Sequence, residues 1–271
     1  MSEPLSLPRL MVAPTGARRG KSDHPELPVT LDEIVATAVA CELAGADGIH
    51  LHVRDQDGNH SLDTGLYRET IAAIRSGAPT LFIQATSEAA GIYDANAQQA
   101  MVRDLQPVSV SVALREMISG KNDTADAAKF YDWAQDTNVA IQHIVYSPSE
   151  FSWLLECIDN GIIPGAHHHL QVVLRSYQGT DEPNPGDLDA YLSLINARRS
   201  ELSFDWMVCA FGAAETACLA YAVRHGGKAR VGFENSLWNA DGRLAEDNAV
   251  RVKEVHAAIK ALPQTLSPVD R

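Results

Sequence analysis

The sequence predicts a single (β/α)8 TIM barrel over residues 1–271, because eight short apolar segments are each followed by a segment with helical spacing. The length agrees, since a barrel of this kind typically contains about 250 residues. A doubly wound open sheet is the main alternative, but it is expected to contain fewer units. No GxGxxG motif follows the first apolar segment, so a dinucleotide-binding fold is not indicated.

The first four strand–helix units carry the signals of buried strands and capped helices. Thr30 and Glu33 form a capping-box pattern, and the helix that they open ends at Gly45. Residues 108–113 are apolar or small throughout, as expected for a strand buried on both faces. The predicted strands are 9–13, a run of about seven residues between 47 and 55, 80–84 and 108–113, and the predicted helices are 30–45, 65–75, 94–105 and 123–137.

The second half of the chain repeats the same pattern four more times. Ser147 precedes Pro148, and this pair is typical of a helix start. The predicted strands are 140–146, 170–174, 204–210 and 229–232, and the predicted helices are 147–161, 187–199, 213–225 and 246–262.

Composition and charge indicate a metabolic protein without a nucleic-acid or membrane partner. The net charge is −13 and the pI is about 5.1, whereas binding to phosphates depends on lysine and arginine. The N-terminus lacks a basic region before an apolar core, and no apolar run approaches the roughly 18 residues of a membrane span. The four cysteines have no paired spacing, so we expect buried, reduced thiols. We therefore expect a cytoplasmic protein with no export signal and no anchor.

Two histidines in the second predicted strand are the first candidates for a functional site. Ile49, Leu51 and Val53 alternate with two histidines, so a strand would direct both His50 and His52 to one face. Their separation of about 6 to 7 Å can be bridged by one divalent ion. The alternative is that they are two half-exposed polar positions on a strand.

In a (β/α)8 barrel, reactive groups collect at the C-terminal ends of the strands. Glu234 stands out there, because two histidines and one glutamate form the ligand set of a catalytic zinc site. The same set also fits iron(II), manganese or cobalt. Alternatively, Glu234 is a surface turn residue or a partner of Arg230. The other polar residues expected at this end are Thr15, Gly16, Arg54, Asp55, Gln84, Thr86, Ser87, Ser111, Arg115, Glu116, His143, Tyr146, Arg175, Glu215 and Asn235.

Four segments carry a resemblance to a known family. They are residues 15–17, residues 24–30, residues 48–58 with the sequence HLHVRD, and residues 226–234 with the sequence RVGFE. Together they resemble the β-keto acid cleavage enzymes, a family typified by 3-keto-5-aminohexanoate cleavage enzyme. The resemblance implies a zinc-dependent TIM barrel that condenses a β-keto acid with acetyl-CoA and splits the adduct into acetoacetate and a shortened acyl-CoA. It also implies one zinc ion per chain, held by His50, His52 and Glu234, with Arg230 as the catalytic arginine.

Substrate contacts are expected around this centre. The residues predicted to bind substrate are Thr15, Arg18, Arg54, Gln84, Thr86 and Arg230, and those predicted to take part in catalysis are Arg230, Asn235 and Thr86. Thr86 aligns with a family serine that touches substrate, and Gln84 is an expected hydrogen-bonding neighbour. Residues 18–21 form the main basic cluster, which could meet a CoA phosphate or an anionic substrate, or be solvated charge.

Several departures from the family pattern bear on substrate and mechanism. Asn235 stands where the type member has an aspartate paired with the arginine, and an amide cannot act as a base. Arg18 replaces a glutamate that meets a cationic amine, so we expect a neutral or anionic substrate tail. Residues 113–117 and 212–215 also differ from the family pattern, which again indicates altered specificity.

Two other functions remain open at this point. A metal-dependent hydrolase or aldolase could use the same ligands without a thioester, and a metal-dependent binding protein could have lost catalysis along with the aspartate. The resemblance implies a homo-oligomer, either a dimer or a tetramer. A structural role is favoured for residues 167–169, which are expected in a loop at the N-terminal end of the sixth strand. Residues 179–186 are expected to form a mobile lid or an interface.

Overall fold

The computed structural model describes residues 4–118, 124–175 and 182–263. The strands in these ranges are β1 Leu10–Val12, β2 Gly48–Leu51, β3 Val53–Arg54, β4 His60–Ser61, β5 Phe82–Thr86, β6 Ser109–Ala113, β7 Ala140–Val145, β8 His167–Leu174, β9 Ser203–Ala210 and β10 Lys228–Val231. Eight of them form a closed parallel barrel in the order β1, β10, β9, β8, β7, β6, β5, β2. The predicted (β/α)8 barrel is therefore confirmed.

The helices surround this barrel and begin close to the predicted positions. Those in the described part of the chain are α1 Leu31–Ala44, α2 Thr64–Gly77, α3 Ala95–Leu105, α4 Leu114–Met117, α5 Thr124–Asp136, α6 Pro148–Asp159, α7 Asp189–Ala197, α8 Glu215–Arg224 and α9 Asn248–Lys260, with a 3-10 helix at Pro185–Leu188. The hydroxyl of Thr30 accepts from the N–H of Glu33 and the Glu33 carboxylate accepts from the N–H of Thr30, which confirms the capping box.

None of the described helices is both long enough and apolar enough to cross a bilayer. All four cysteines lie in the described ranges and are buried and free, as predicted.

The second predicted strand is shorter than expected. Barrel strand β2 ends at Leu51, and β3 pairs antiparallel with β4 instead of continuing the barrel. Asp55 explains the change, because its carboxylate accepts from the backbone N–H groups of Asp57 and Asn59 and closes a turn. Gly58 completes that turn with a φ of 81°. The prediction of one continuous strand is therefore wrong in its second half.

Two further elements differ from the predictions. Strand β8 begins at His167, so residues 167–169 lie in the strand, paired with residues 203–205 of β9, and not in a loop. The short helix α4 directly follows β6 and was not predicted. Residues 179–181 of the predicted lid lie outside the described ranges.

The barrel interior is layered, and the layers decide where a ligand can bind. The layer at the N-terminal end is apolar and consists of Leu7, Met11, Phe82 and Met207. Above it lies a fully buried polar layer that contains Gln84, Ser109 and Gln142. Because side chains fill both layers, the room for a ligand inside the described barrel lies at its C-terminal mouth.

Candidate metal centre

Three side chains of metal-ligand type converge at the C-terminal end of the barrel. His50 lies on β2, His52 directly follows that strand, and Glu234 follows β10. Strand β1 lies between β2 and β10, so these side chains meet over its end. Their ligand atoms lie within 4.8 Å of one another, and all three residues are buried.

Gly232 makes the turn that directs Glu234 into the barrel mouth. Its φ is 140°, and a Cβ at this position would lie 2.4 Å from the carbonyl oxygen of Ala13, so only glycine fits. The turn lets the N–H of Glu234 donate to the same Ala13 carbonyl at 3.1 Å. The N–H of Phe233 donates to the side-chain oxygen of Asn248 at 2.9 Å. The backbone that carries the carboxylate is thus fixed at several points.

The spacing of the three groups fits a divalent cation. The Nε2 atoms of His50 and His52 lie 3.6 and 3.4 Å from Oε2 of Glu234. A charge-assisted hydrogen bond would be shorter, at about 2.8 Å. Ligands bound at about 2.0–2.1 Å to a tetrahedral zinc ion are about 3.4 Å apart, so the observed separations match the edges of such a site. Three protein ligands leave a fourth position open, and iron(II), manganese and cobalt fit the same set.

His50 is oriented by a chain of amides that crosses the barrel interior. The amide nitrogen of Gln142 donates to the carbonyl oxygen of Leu170 at 3.4 Å, which leaves its amide oxygen to accept from Gln84 Nε2 at 3.0 Å. The oxygen of Gln84 therefore faces Nδ1 of His50, at 2.9 Å. Because that oxygen can only accept, Nδ1 of His50 carries the hydrogen and Nε2 keeps its lone pair for a metal.

His52 is oriented by a second histidine, His60. Nε2 of His60 lies 2.8 Å from the carbonyl oxygen of Glu88 and must therefore carry the hydrogen of that ring. In the neutral ring, Nδ1 of His60 is then an acceptor for Nδ1–H of His52, at 3.4 Å. Nε2 of His52 has no hydrogen-bond partner within the described ranges and points to the centre. Both candidate ligands thus present Nε2, each held by a hydrogen bond at the opposite nitrogen.

The electrostatic setting favours a neutral imidazole at His50 beside an ionised carboxylate at Glu234. Burial, followed by the charge of Arg230, lowers the pKa of His50 to about 3. Burial and then His52 lower the pKa of His60 to about 3. Burial alone would raise the pKa of Glu234, but Arg230 and the two candidate histidine ligands hold it well below its usual value. These are the protonation states that metal binding requires.

Arg230 and Asn235 present unpaired polar atoms beside the candidate ligands. Nη2 of Arg230 donates to Oε1 of Glu234 at 3.0 Å and to the sulfur of Cys209 at 3.3 Å. Nε and Nη1 of Arg230, and both side-chain polar atoms of Asn235, are buried and have no partner among the described residues. Unpaired buried donors cost free energy, so their clustering in one place indicates that a ligand satisfies them.

All of these groups except His52 line one cavity at the barrel mouth. Its lining residues are Arg18, His50, Thr86, Glu88, Ala113, Arg115, Glu116, Ile144, Tyr146, Val173, Phe211, Arg230, Glu234 and Asn235. The predicted catalytic residues Arg230, Asn235 and Thr86 therefore lie together. Thr86 is buried and its hydroxyl accepts from the Ser111 hydroxyl at 3.0 Å.

The structure does not bring every predicted substrate contact into this cavity. Thr15 and Arg54 are not among the lining residues, and Arg54 instead donates to three carbonyl groups in the loops that follow β1 and β3. Gln84 lies beneath His50 and contacts that ring. His143, expected at the mouth, faces the outside of the barrel and packs against Tyr131. Strand alternation accounts for this, because its neighbours on β7 point inwards.

Two residues near the centre were not predicted from the sequence. His60 could have been found, since the Asp57–Gly58 pair is a hairpin signal that places His60 opposite Arg54. Glu88 follows β5 by two residues, and its Oε2 lies 3.7 Å from Nε2 of His52. Burial raises the pKa of Glu88.

Fold and site together define a barrel protein with a candidate two-histidine, one-glutamate metal centre at its mouth. Sequence comparison is more specific: the model of the beta-keto acid cleavage enzyme family matches residues 9–270. The chain belongs to this family, as the resemblance indicated.

Two sequence relatives agree with the assignment, and one solved structure shares the fold. The chain is 28% identical over 266 residues to the 3-keto-5-aminohexanoate cleavage enzyme of Fusobacterium nucleatum subsp. nucleatum, covering 94% of this chain and 92% of the relative. It is 26% identical over 277 residues to the 3,5-dioxohexanoate:acetyl-CoA acetone transferase of Paraburkholderia graminis, covering 92% and 89%. The structure of ObcA with oxaloacetate shares the fold, with a TM-score of 0.60 at 16% identity, and the match covers 86% of this chain and 63% of that one.

Proposed function

We propose that this protein is a zinc-dependent enzyme that cleaves a β-keto acid with acetyl-CoA. The acyl group of the keto acid passes to CoA, and the remaining acetate unit joins the acetyl group, so the products are an acyl-CoA and acetoacetate. The single observation that carries the proposal is that the three clustered candidate ligands lie beside the unpaired atoms of Arg230 and Asn235, at a cavity that His50 and Glu234 line. The names of the two relatives support a keto acid and acetyl-CoA as the reactants.

A divalent cation held by His50, His52 and Glu234 would act as a Lewis acid that polarises the keto group and stabilises negative charge on its oxygen. Arg230 has two N–H donors directed into the cavity and is placed to bind the substrate carboxylate. Its bond to Glu234 holds the guanidinium beside the ligands, so carboxylate and ketone are bound at adjacent positions.

Asn235 cannot take a proton, but it can hold the substrate. Its amide nitrogen and oxygen have no hydrogen-bond partner in the described chain, and the residue is fully buried. The amide N–H2 can donate to a substrate oxygen beside the candidate ligands. The Thr86 hydroxyl, oriented by Ser111, supplies a further polar contact in the same cavity.

Metal analysis of the purified full chain, followed by a coupled assay of β-keto acids with acetyl-CoA, tests this function. We expect about one zinc ion per chain and acetoacetate formation that stops on chelation and returns when zinc is added back. His52→Ala should lose both metal and activity, whereas His225→Ala, which alters an exposed histidine far from the centre, should retain both.

Two other outcomes would replace the proposal. Turnover without acetyl-CoA would indicate a metal-dependent hydrolase or aldolase. Tight binding of a keto acid without any product would indicate a metal-dependent binding protein.

We also propose a cytoplasmic homo-oligomer, a dimer or a tetramer, supported by the family resemblance and the free cysteines. Light scattering of the purified protein would give the oligomeric state.

A further inference from the structure

One side of the cavity wall is apolar, and none of the groups used in the proposed reaction lies on it. Ala113, Ile144 and Val173 lie at the ends of the consecutive strands β6, β7 and β8, and Phe211 follows β9. They pack together in a cluster that is separate from the main hydrophobic core and that includes Cys209. All except Cys209 line the cavity.

This apolar wall begins directly beside the proposed position of the substrate carboxylate. Nη2 of Arg230 contacts the sulfur of Cys209 at 3.3 Å, and Cys209 packs against the wall residues. A β-keto acid whose carboxylate is held by Arg230 has its keto group near the candidate ligands. The remainder of the molecule, beyond the ketone, then extends along the wall.

The charged residues at the outer rim of the cavity already have partners within the protein. The guanidinium of Arg115 lies 3.6 Å from the centre of the Tyr146 ring and 3.4 Å from a carboxylate oxygen of Glu150. Glu116 accepts from the N–H of Ala89 at 3.0 Å. In the same cavity, Nε and Nη1 of Arg230 and the side-chain amide of Asn235 are buried and have no partner among the described residues. The structure therefore offers unpaired polar contacts to the head of the substrate and apolar contacts to its tail.

We propose that the substrate is a β-keto acid with an uncharged, mainly hydrocarbon tail, which lies against Ala113, Ile144, Val173 and Phe211. This inference rests on the proposed function and specifies its substrate class. A carboxylate or ammonium group at the end of the tail would lose hydration against these side chains without gaining a partner. A hydrocarbon tail would instead gain free energy with each methylene that leaves water.

A substrate series with the metal-loaded full chain tests the tail preference. The ratio kcat/KM should rise about fourfold per methylene from 3-oxopentanoate to 3-oxooctanoate, until the tail outgrows the wall. The matched pair 3-oxohexanoate and 3-oxohexanedioate differs only by a terminal carboxylate, and we expect the first to be preferred by at least about tenfold. A preference for the dicarboxylate, or for 5-amino-3-oxohexanoate, would overturn the inference.

A pair of isosteric variants locates the tail. Val173→Thr places a hydroxyl in the wall and should lower kcat/KM for 3-oxooctanoate by about tenfold, with little change for 3-oxopentanoate. Val172→Thr makes the same change one residue earlier, where the side chain belongs to the main core, and should leave the ratio of the two substrates unchanged. If Val173→Thr does not fold, Val173→Ala provides the same comparison.

The pantetheine arm of acetyl-CoA is the other occupant that an apolar wall could take. In that case Val173→Thr would raise the KM for acetyl-CoA equally with every keto acid, and the inference would be wrong.

Calorimetric titration of the keto acids into the metal-loaded protein without acetyl-CoA separates this inference from the proposed function. Tail-dependent binding without turnover would support the tail preference and contradict the proposed reaction. Turnover that favours charged tails would support the proposed reaction and contradict the tail preference. If the keto acids neither bind nor react, both proposals are wrong.

Discussion

Two buried arginine–glutamate pairs lie close together in this barrel and differ in how completely their atoms are satisfied. Arg251 contacts Glu215 at 2.6 Å, and Arg230 contacts Glu234 at 3.0 Å. The guanidinium of Arg251 also donates to Thr216, Glu254 and Asn239, so Nε is its one nitrogen without a partner among the described residues. In Arg230, both Nε and Nη1 lack such a partner.

The difference separates a pair that stabilises the fold from a pair that serves a site. The first pair joins α8 to α9, and its charges are enclosed by protein donors and acceptors. Burial raises the pKa of Glu215 to about 7 although Arg251 opposes it. The second pair opens onto the cavity, and its carboxylate faces two imidazoles. Burial and charge are thus shared features. The functional pair is identified by its opening onto the cavity, together with its larger number of unpaired donors.

The largest effect is expected from breaking the structural pair. Arg251→Met leaves the buried carboxylate of Glu215 and the partly exposed carboxylate of Glu254 without their cation. The substitution should lower the free energy of unfolding by about 3–5 kcal/mol. Urea denaturation measures this. The folded fraction should keep its metal content and its activity per molecule, so a loss of activity with normal stability would contradict the assignment.

The same substitution in the other pair should act on the reaction. Arg230→Met should lower kcat/KM by about 10²–10³-fold, because donors that act on the substrate are lost. The free energy of unfolding of the metal-loaded protein should change by only about 1 kcal/mol, since Glu234 keeps its role as a candidate ligand. Arg230→Lys retains the charge but not the paired donors and should recover little activity. An unfolding change as large as that of Arg251→Met would remove the contrast.

A smaller effect is expected at His60, which orients a candidate ligand without binding the metal. His60→Phe should weaken zinc binding by about 10–100-fold, as measured by competition with a chelator. His60→Gln can accept from His52 and donate to the Glu88 carbonyl, so it should restore part of the affinity. Equal affinity in both variants and in the unaltered protein would show that the ring of His52 needs no such partner.

The smallest effect is expected from an exposed ion pair between a basic residue and a glutamate. In this pair, Nζ of Lys21 lies 2.7 Å from Oε1 of Glu33. Burial opposes ionisation of Glu33, but Lys21 and the N–H groups of Val29 and Thr30 together outweigh it and lower the pKa of Glu33 from 4.5 to about 2. Because the folded-state pKa is the lower one, the ionised carboxylate stabilises the fold above pH 4.5, and this contribution is lost as the pH falls towards 2. After solvent screening, Glu33→Gln should cost about 0.5–1 kcal/mol at pH 7. Denaturation curves at pH 7 and pH 2.5 should show the difference shrinking.

The fold was predictable because its signals are local. The capping box at Thr30, the apolar strand at 108–113 and the regular alternation of strands and helices each depend on a few neighbouring residues. The end of β2 at Leu51 was missed, because the turn made by Asp55 competes with an alternating pattern that continues to Val53. Local patterns do not show which of two such signals prevails.

The candidate site was predictable only in part. His50, His52 and Glu234 come from strand ends, and closure of the barrel brings such ends together. The position of Gln84 below His50 depends on the depth of its side chain in the barrel, which follows from the stagger of the strands and not from sequence order. The role of His60 likewise depends on the register of a hairpin. Contacts between distant segments therefore account for most of what the sequence did not reveal.

The amide chain from Leu170 through Gln142 and Gln84 to His50 has a consequence for the evolution of this barrel. A substitution at Gln142, on the wall opposite the metal centre, would remove one of the two acceptors that orient the amide of Gln84, and the Ser109 hydroxyl is the other. Side-chain changes on strands β5, β6 and β7 at this level are therefore coupled to the orientation of His50. The outer wall of the cavity is under no such restriction.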